Sequence, residues 1–349
     1  MTTAFALLAG FALVASACGA GGSAKSAGSS STTTTTLAPP SAPLTGLVDP
    51  SGVAQGRGAL IVKIENTPAA RPQSGLELAD VVYEEVVDGG ITRLMAVFNS
   101  QTPETVGPIR SVRPVDASLA QPIGGVLAYS GGLASEVARI ESVPGLITVS
   151  EDTAGDAMFR DRARAAPHDL YGYPDALWAF GGEPVPPRPL FEYLGDGETF
   201  AGEPVDSFTV GESTDADYNP TYDWNPESGT WLRSLNGEPS TTASGSRIAP
   251  TNVVIQFTTY VPEPGAPGAV GQVTGAGEAW VLTAGRLVRG TWTRDDPALS
   301  ARYADGVGRP IKLAPGRTWV SLAALGLDTE LVVPPAVPDT AGPPTAPGS

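Results

Sequence analysis

The chain has 349 residues and a formal net charge of −16 at pH 7, because 37 aspartates and glutamates outnumber 21 lysines and arginines. Such an acidic surface repels phosphate polymers and anionic lipid head groups, so broad binding to nucleic acid or to a membrane surface is not expected. A single cysteine and a single histidine argue against a disulfide framework and a multi-histidine metal site, so no metal and no cofactor are predicted.

The N-terminal segment has the pattern of a bacterial lipoprotein signal. An uncharged run of small and apolar residues ends at Cys18 and is too short to span a bilayer. We predict that residues 1–17 are a signal peptide and that Cys18 is the lipidated residue. Because one acyl chain gives only marginal membrane binding, a diacylglyceryl anchor with palmitate is expected. The alternative is a buried thiol in an apolar helix, since free cysteine packs as a small hydrophobe.

The segment after the cysteine is predicted to be a flexible tether. Residues 18–45 are rich in glycine, serine, threonine and proline, and have almost no large apolar side chain. They cannot offset the entropy of ordering, and the Pro-rich residues 333–349 are expected to be a disordered tail for the same reason. The predicted location is therefore the outer, extracytoplasmic face of the cell membrane.

Residues 46–185 are predicted to form an α/β-type domain with a mixed sheet. Apolar and β-branched runs predict strands at 59–66, 79–87, 91–98 and 125–129. The two glycines at 89–90 supply the positive φ of a short hairpin turn between the second and third strands. Helical patterns at 114–119 and 133–142 flank the fourth strand, and such alternation is typical of this class.

A Pro-rich stretch at 182–189 marks the predicted domain boundary, and residues 190–332 are predicted to form a mainly β domain. Short strand patterns with turn signals between them recur at 222–233, 252–260, 277–292 and 317–322. The chain as a whole is therefore predicted to have an α+β fold, with a mixed sheet in its first half and a strand-rich second half.

Several short motifs stand in a fixed order along the predicted folded part. They are RPQSGL at 71–76, ADVVYE at 79–84, GGITR at 89–93, GPIRSVR at 107–113, RD at 160–161, APH at 166–168, GTW at 290–292 and PGRTW at 315–319. In these motifs the chain resembles the YerB-like family of bacterial lipoproteins, over residues 45 to 330. The resemblance implies a lipoprotein with two domains of unknown function, and it brings no established activity.

Arginines form the candidate ligand site. Arg110 and Arg113 follow a Gly-Pro turn that can aim both guanidinium groups at one anion, which arginine binds in bidentate fashion. Arg93, Arg160 and Asn66 complete the candidate ligand-binding set. The alternative is an internal ion-pair network, because buried arginines are normally paired with carboxylates.

Two carboxylates and the histidine are the candidates for proton transfer. Asp80 and Glu84 are predicted to share a face of their strand by its period of two, where Arg93 of the hairpin partner meets them. His168 is a candidate general acid or base, or else a loop residue that hydrogen-bonds the backbone.

The sequence leaves three functions open. The first is a lipid-anchored binding or assembly module of the cell envelope, with an anionic envelope ligand or a protein as its partner and no nucleic acid. The second is an envelope enzyme that holds an anionic substrate at Arg110 and Arg113. The third is a structural spacer. The sequence contains no nucleophile elbow, which would indicate a hydrolase, and no P-loop, which would indicate nucleotide binding. These motifs therefore do not help to choose among the three functions.

Overall fold

The structure is a computed structural model that describes residues 40–332. The predicted signal peptide, Cys18, the tether up to residue 39 and the predicted tail at 333–349 lie outside the described residues. The predicted tether boundary at residue 45 is wrong, because Ala42, Leu44 and Thr45 are buried against the folded part. Residues 40–332 all belong to one compact unit.

Strands dominate the described part, with four short α-helices between them. The helices are α1 (Pro114–Ala120), α2 (Ala134–Glu141), α3 (Glu151–Ala154) and α4 (Pro174–Trp178). The strands are β1 (Leu60–Glu65), β2 (Val81–Val86), β3 (Thr92–Phe98), β4 (Gly125–Tyr129), β5 (Leu146–Ser150), β6 (Met158–Arg160), β7 (Leu170–Gly172), β8 (Glu203–Pro204), β9 (Ser207–Thr209), β10 (Thr221–Asn225), β11 (Thr230–Leu235), β12 (Glu238–Pro239), β13 (Asn252–Gln256), β14 (Tyr260–Pro262), β15 (Ala269–Gly271), β16 (Gly275–Thr283), β17 (Arg286–Arg294), β18 (Arg302–Asp305), β19 (Thr318–Leu322) and β20 (Glu330–Val332).

The central element is an eleven-stranded mixed sheet in the order β18-β17-β16-β13-β19-β2-β3-β1-β4-β5, with β8 paired to β17. β2 and β3 form the predicted antiparallel hairpin, and β1 pairs with β3 in antiparallel and with β4 in parallel fashion. A second sheet of five strands has the order β12-β11-β10-β9-β20. This arrangement confirms the predicted α+β class.

The two predicted domains share one sheet rather than forming two. β19 of the second half pairs in parallel with β2 of the first, from Thr318 opposite Val81 to Leu322 opposite Glu85. Each of these central strands is covered on both faces, which explains their nearly continuous apolar sequences. The described residues of both halves therefore contribute strands to one sheet, and the boundary at 182–189 does not separate two independent sheets.

Each face of the central sheet has its own hydrophobic core. On one face, Val62 and Phe98 belong to a core that includes Phe208 and Trp231 of the second sheet. On the other face, Ile61 belongs to a core with residues of α1 and α2. Alternate residues of a strand point to opposite faces, so the two cores take alternate residues of the same strands.

No helix among residues 40–332 is both long and apolar enough to cross a membrane.

Candidate functional site

Seven strands of the central sheet run in the same direction, namely β1, β2, β4, β5, β13, β17 and β19, so their carboxyl ends lie at one edge. Ligands commonly bind at such an edge in α/β sheets. The structure brings four of the predicted site residues to it, beside the end of β1. We call Glu65, Arg93, Arg110, Arg113 and His168 the edge cluster.

Backbone pairing fixes the position of two of these arginines. The segment that contains them crosses the edge between β1 and β4, because Arg110 N donates to Lys63 O at 2.9 Å and Ser130 N donates to Arg110 O at 3.0 Å. Val112 N in turn donates to Gly131 O at 3.0 Å. The loop that carries the arginines is therefore held to both neighbouring strands.

Arg93 is the buried arginine of the edge cluster, with 6% of its surface exposed. Its Nη1 donates to Ser111 O at 3.0 Å, whereas its Nε is buried with no hydrogen-bond partner. Burial, followed by the positive charges of Arg113 and Arg110, lowers the pKa of Arg93 to about 10. The three predicted arginines thus lie close enough together to repel one another.

Glu65 joins two members of the cluster. Its Oε2 lies 2.9 Å from His168 Nδ1 and 3.4 Å from Arg110 Nε, and its Oε1 accepts a hydrogen bond from Thr67 Oγ1 at 2.9 Å. Within residues 40–332 the Arg110 guanidinium forms this ion pair but no hydrogen bond. The histidine is therefore oriented by a carboxylate, and Arg110 keeps free N–H groups.

Arg113 is paired much more completely than Arg110. Its Nε and Nη2 donate to Asp88 Oδ2 at 3.0 and 2.7 Å, and its Nη1 donates to Val112 O at 2.8 Å. Glu136 lies 3.5 Å from the same guanidinium. The network that the sequence left as an alternative is therefore present at Arg113.

A buried lysine lies on the same face of the sheet. Lys63, which is fully buried, forms ion pairs with Glu85 and with Asp116, the latter at 2.8 Å. Burial and the charge of Asp116 raise the pKa of Glu85 to about 7, although Lys63 opposes this shift. Asp116 also accepts a hydrogen bond from Arg113 N at 2.6 Å, which ties this triad to the edge cluster.

The prediction that Asp80 and Glu84 meet Arg93 is wrong. The β2–β3 register places Glu85 opposite Arg93, so Arg93 shares a face with Glu85 and Glu84 points to the other face. Asp80 lies before the start of β2, at the opposite edge, where it accepts hydrogen bonds from Asn99 N at 2.5 Å and Ser100 N at 2.7 Å.

Arg160 lies apart from the edge cluster as well. It pairs with Glu151 at 2.7 Å and with Asp169 at 2.6 Å, and 48% of its side chain is exposed. An exposed ion pair of this kind contributes little to stability. Its contacts give it no shared partner with Arg93, Arg110 or Arg113.

Asn66 and Glu84 belong to a second polar group on the opposite face. Glu84 is fully buried and accepts hydrogen bonds from Asn66 Nδ2 at 2.9 Å, Arg233 Nη2 at 3.1 Å and Trp319 Nε1 at 3.0 Å. Four donors surround this carboxylate when Thr92 Oγ1, at 2.8 Å, is included. The charge of Glu84 is thus satisfied by donors from both halves of the chain.

Three members of this second group, Asn66, Arg233 and Trp319, line a cavity of about 370 Å³ between the two sheets. We call it the inter-sheet cavity. Arg71, Gln73, Arg233, Leu235, Ile248 and Trp319 are among its lining residues. The Arg233 guanidinium lies over the Trp319 ring, 4.8 Å from its centroid.

Sequence reasoning did not select Arg71, Gln73 or Arg233 as site residues. The first two lie in the RPQSGL motif that carries the family resemblance, so a signal was present. Arg233 lies at an inward position of β11, between inward Trp231 and Leu235, and a charge on that face requires a buried partner.

Among the described residues, no group of three or more histidine, cysteine, aspartate or glutamate side chains is arranged to hold a metal ion.

Family models match both halves of the chain. The N-terminal domain of a protein of unknown function, DUF3048, matches residues 44–183, and its C-terminal domain matches residues 210–320. A Bacillus subtilis (strain 168) protein named "Putative lipoprotein YerB" is 38% identical over 130 residues, which are 37% of this chain and 39% of that protein. The chain thus spans about two fifths of the length of that relative.

A solved structure has the same fold. The crystal structure of YerB protein from Bacillus subtilis matches with a TM-score of 0.70 and 24% identity, over 81% of this chain and 96% of that chain. The architecture described above is therefore shared with a solved protein.

Proposed function

This chain belongs to the DUF3048 family of proteins of unknown function, and from that premise we propose that it is a lipid-anchored, extracytoplasmic binding module of the cell envelope. The lipoprotein name of its Bacillus subtilis relative and the signal pattern that ends at Cys18 support the lipid anchor. The ligand that we propose is a compact phosphate-bearing component of the envelope, bound at the edge cluster.

The observation that carries this proposal is the state of Arg93. Among residues 40–332 no carboxylate forms an ion pair with it, although it is buried beside two further arginines. The charges of Glu85 and Asp116 act on Arg93 without an ion pair, so its charge is only partly compensated, and an anion that enters the cluster relieves both the repulsion between the arginines and the missing hydrogen bond of Arg93.

The free groups of the cluster fit a phosphate. Arg110 presents terminal N–H groups that form no hydrogen bond in the described chain, and a guanidinium fork matches two oxygens of a phosphate group. The net charge of −16 repels long polyanions, so a small phosphate is favoured over a polymer.

Calorimetric titration of the full chain carrying Cys18→Ser with glycerol phosphate tests the proposal. We expect Arg110→Gln to weaken binding at least tenfold, because one charge-assisted contact to phosphate is worth about 1.5–3 kcal/mol. Arg309→Gln is the matched control, since Arg309 is an arginine with 79% of its side chain exposed, and it should stay within twofold of the parent.

Two outcomes contradict the proposal. One is a folded parent chain that binds neither glycerol phosphate nor inorganic phosphate. The other is an Arg110→Gln variant that binds as well as the parent, which would assign the edge cluster to a structural network, as in a spacer protein.

An envelope enzyme that acts on the same anion is the second candidate, and the Glu65–His168 contact favours it. A histidine oriented by a carboxylate is suited to general acid–base catalysis. Incubation with a glycerol phosphodiester followed by phosphorus NMR separates the two functions. Recovery of unchanged diester supports the binding module, whereas hydrolysis that His168→Gln abolishes would establish the enzyme instead.

A further inference from the structure

The inter-sheet cavity is a second candidate site, on the face of the sheet opposite the edge cluster. We propose that it binds a small organic monocarboxylate with an apolar body. The carboxylate lies against Arg71 and Arg233, and the apolar body lies against Leu235, Ile248 and Trp319. This site does not depend on the function proposed for the edge cluster.

One of the two arginines that line the cavity has no ion-pair partner among the described residues. The charge of Arg233 is compensated by Glu84 at 3.1 Å. Arg71 has no carboxylate partner in residues 40–332, because its Nη2 donates only to the carbonyls of Asn66, at 2.7 Å, and Asp217, at 3.2 Å. Arg71 and Arg233 line the same cavity, and burial together with the charge of Arg233 lowers the pKa of Arg71.

Arg233, which lines the cavity, has one buried donor without a hydrogen bond in the described chain. Arg233 is 2% exposed, and its Nη1 and Nη2 are bonded to Ser240 Oγ and to Glu84, but its Nε is buried without a partner. A buried donor left unpaired is unfavourable, and such groups are rare in folded proteins. The buried Tyr222 hydroxyl acts on the same guanidinium, so this Nε does not by itself require a ligand, and Arg71 is the cation with which the bound carboxylate pairs.

Size and lining set the class of ligand. A cavity of about 370 Å³ is at the lower end of the range for small-molecule sites, and such sites are mostly apolar with a few placed polar groups. Leu235, Ile248 and the Trp319 ring supply the apolar surface. The exposed Glu238 also lines the cavity and repels additional negative charge, so one carboxylate is favoured over two.

The test compares phenylacetate with its neutral counterpart phenylacetamide on the full chain carrying Cys18→Ser, by ligand-observed NMR titration. We expect the carboxylate to bind at least tenfold more tightly than the amide. Arg71→Gln should remove that preference, whereas Glu238→Gln should strengthen phenylacetate binding two- to threefold. Arg71 is chosen because Arg233 variants strand the buried Glu84 and need not fold.

Arg309→Gln serves again as the matched control and should leave phenylacetate binding unchanged, because Arg309 is on the exposed β18 turn. Equal binding of amide and carboxylate overturns the proposal, as does an Arg71→Gln variant that retains the preference. A folded parent that binds neither phenylacetate nor the aliphatic hexanoate also overturns it. Glycerol phosphate binding at the edge cluster is measured separately, so failure at one site is distinguishable from failure at the other.

Discussion

Replacement of Lys63 by methionine should strongly destabilise the protein. Lys63 is fully buried on β1 and is the ion-pair partner of both Glu85 and Asp116, which are themselves 1% and 0% exposed. Methionine keeps the length and the apolar stem of lysine but removes the charge. Two buried carboxylates then lose their shared counter-ion.

Loss of one partner from a buried ion pair costs about 3–5 kcal/mol, because the remaining charge is left without compensation. For a unit of this size, each kcal/mol corresponds to about 2–4 °C in melting temperature, so a fall of about 6–20 °C is expected. The fall should be larger at pH 8 than at pH 5, since Glu85 has a pKa of about 7 and is largely protonated at the lower pH.

Thermal and urea unfolding of the parent chain and its variants measures this effect. Lys312→Met is the matched control, because Lys312 pairs with Glu198 at the surface, where both side chains are more than a third exposed, and it should change stability by less than about 1 kcal/mol. Adding Glu85→Leu to Lys63→Met should recover part of the loss. If Lys63→Met is no less stable than Lys312→Met, the triad does not stabilise the fold and this reasoning is refuted.

Three further predictions follow from the sequence and the described contacts. Cys18→Ser should release the protein from membranes on fractionation, and a variant that stays with membranes as the parent does would refute the lipid anchor. The stability of the folded protein should fall as pH rises from about 4.5 to about 7, because folding raises the pKa of Glu85 above its ordinary value of 4.5. The stabilisation that comes from protonated Glu85 is complete below about pH 4.5 and is lost above about pH 7. The raised pKa of Glu85 corresponds to at most about 3.5 kcal/mol at about 1.4 kcal/mol per pKa unit, and a flat pH profile of urea unfolding would contradict it. Arg113→Gln should lower the free energy of unfolding by about 1–3 kcal/mol, because it leaves Asp88 without its two charged donors. Arg93→Gln should leave the melting temperature unchanged or raise it. Equal losses of stability in the two variants would show that Arg93 is not an uncompensated charge.

Local patterns predicted most of the first-half elements. The β-branched run at 59–66 became β1 at Leu60–Glu65, and the two strands around the glycine pair became the β2–β3 hairpin. These features depend on neighbouring residues, which is why sequence alone shows them. The shared sheet depends instead on the pairing of β2 with β19, more than two hundred residues apart. An apolar run indicates burial on both faces but does not identify the strand beside it.

The sequence predicted only part of the candidate site, because it shows which residues are neighbours along the chain but not which strands are neighbours in the sheet. The Gly-Pro turn and its two arginines are neighbours in sequence, and the structure places Arg110 and Arg113 with Arg93 at one edge. The predicted contact between Arg93 and the carboxylates Asp80 and Glu84 was wrong. A period of two shows which residues of one strand share a face, but it does not show how that face aligns with the neighbouring strand. A shift of one residue exchanges Glu84 for Glu85 and moves the partner to the other side of the sheet.

That alternation also explains why one strand end supplies both candidate sites. Glu65 and Asn66 are adjacent at the end of β1, and they point to opposite faces, the first toward His168 and the second toward Glu84. Gln73 Nε2 joins them, since it donates to Glu65 O and to Asn66 Oδ1 at 3.0 Å each. The edge cluster and the inter-sheet cavity therefore have different charged residues and different proposed ligands, but both depend on the backbone at residues 65–66. Variants that test either site are best placed on the arginines, because a substitution at 65 or 66 would disturb both sites.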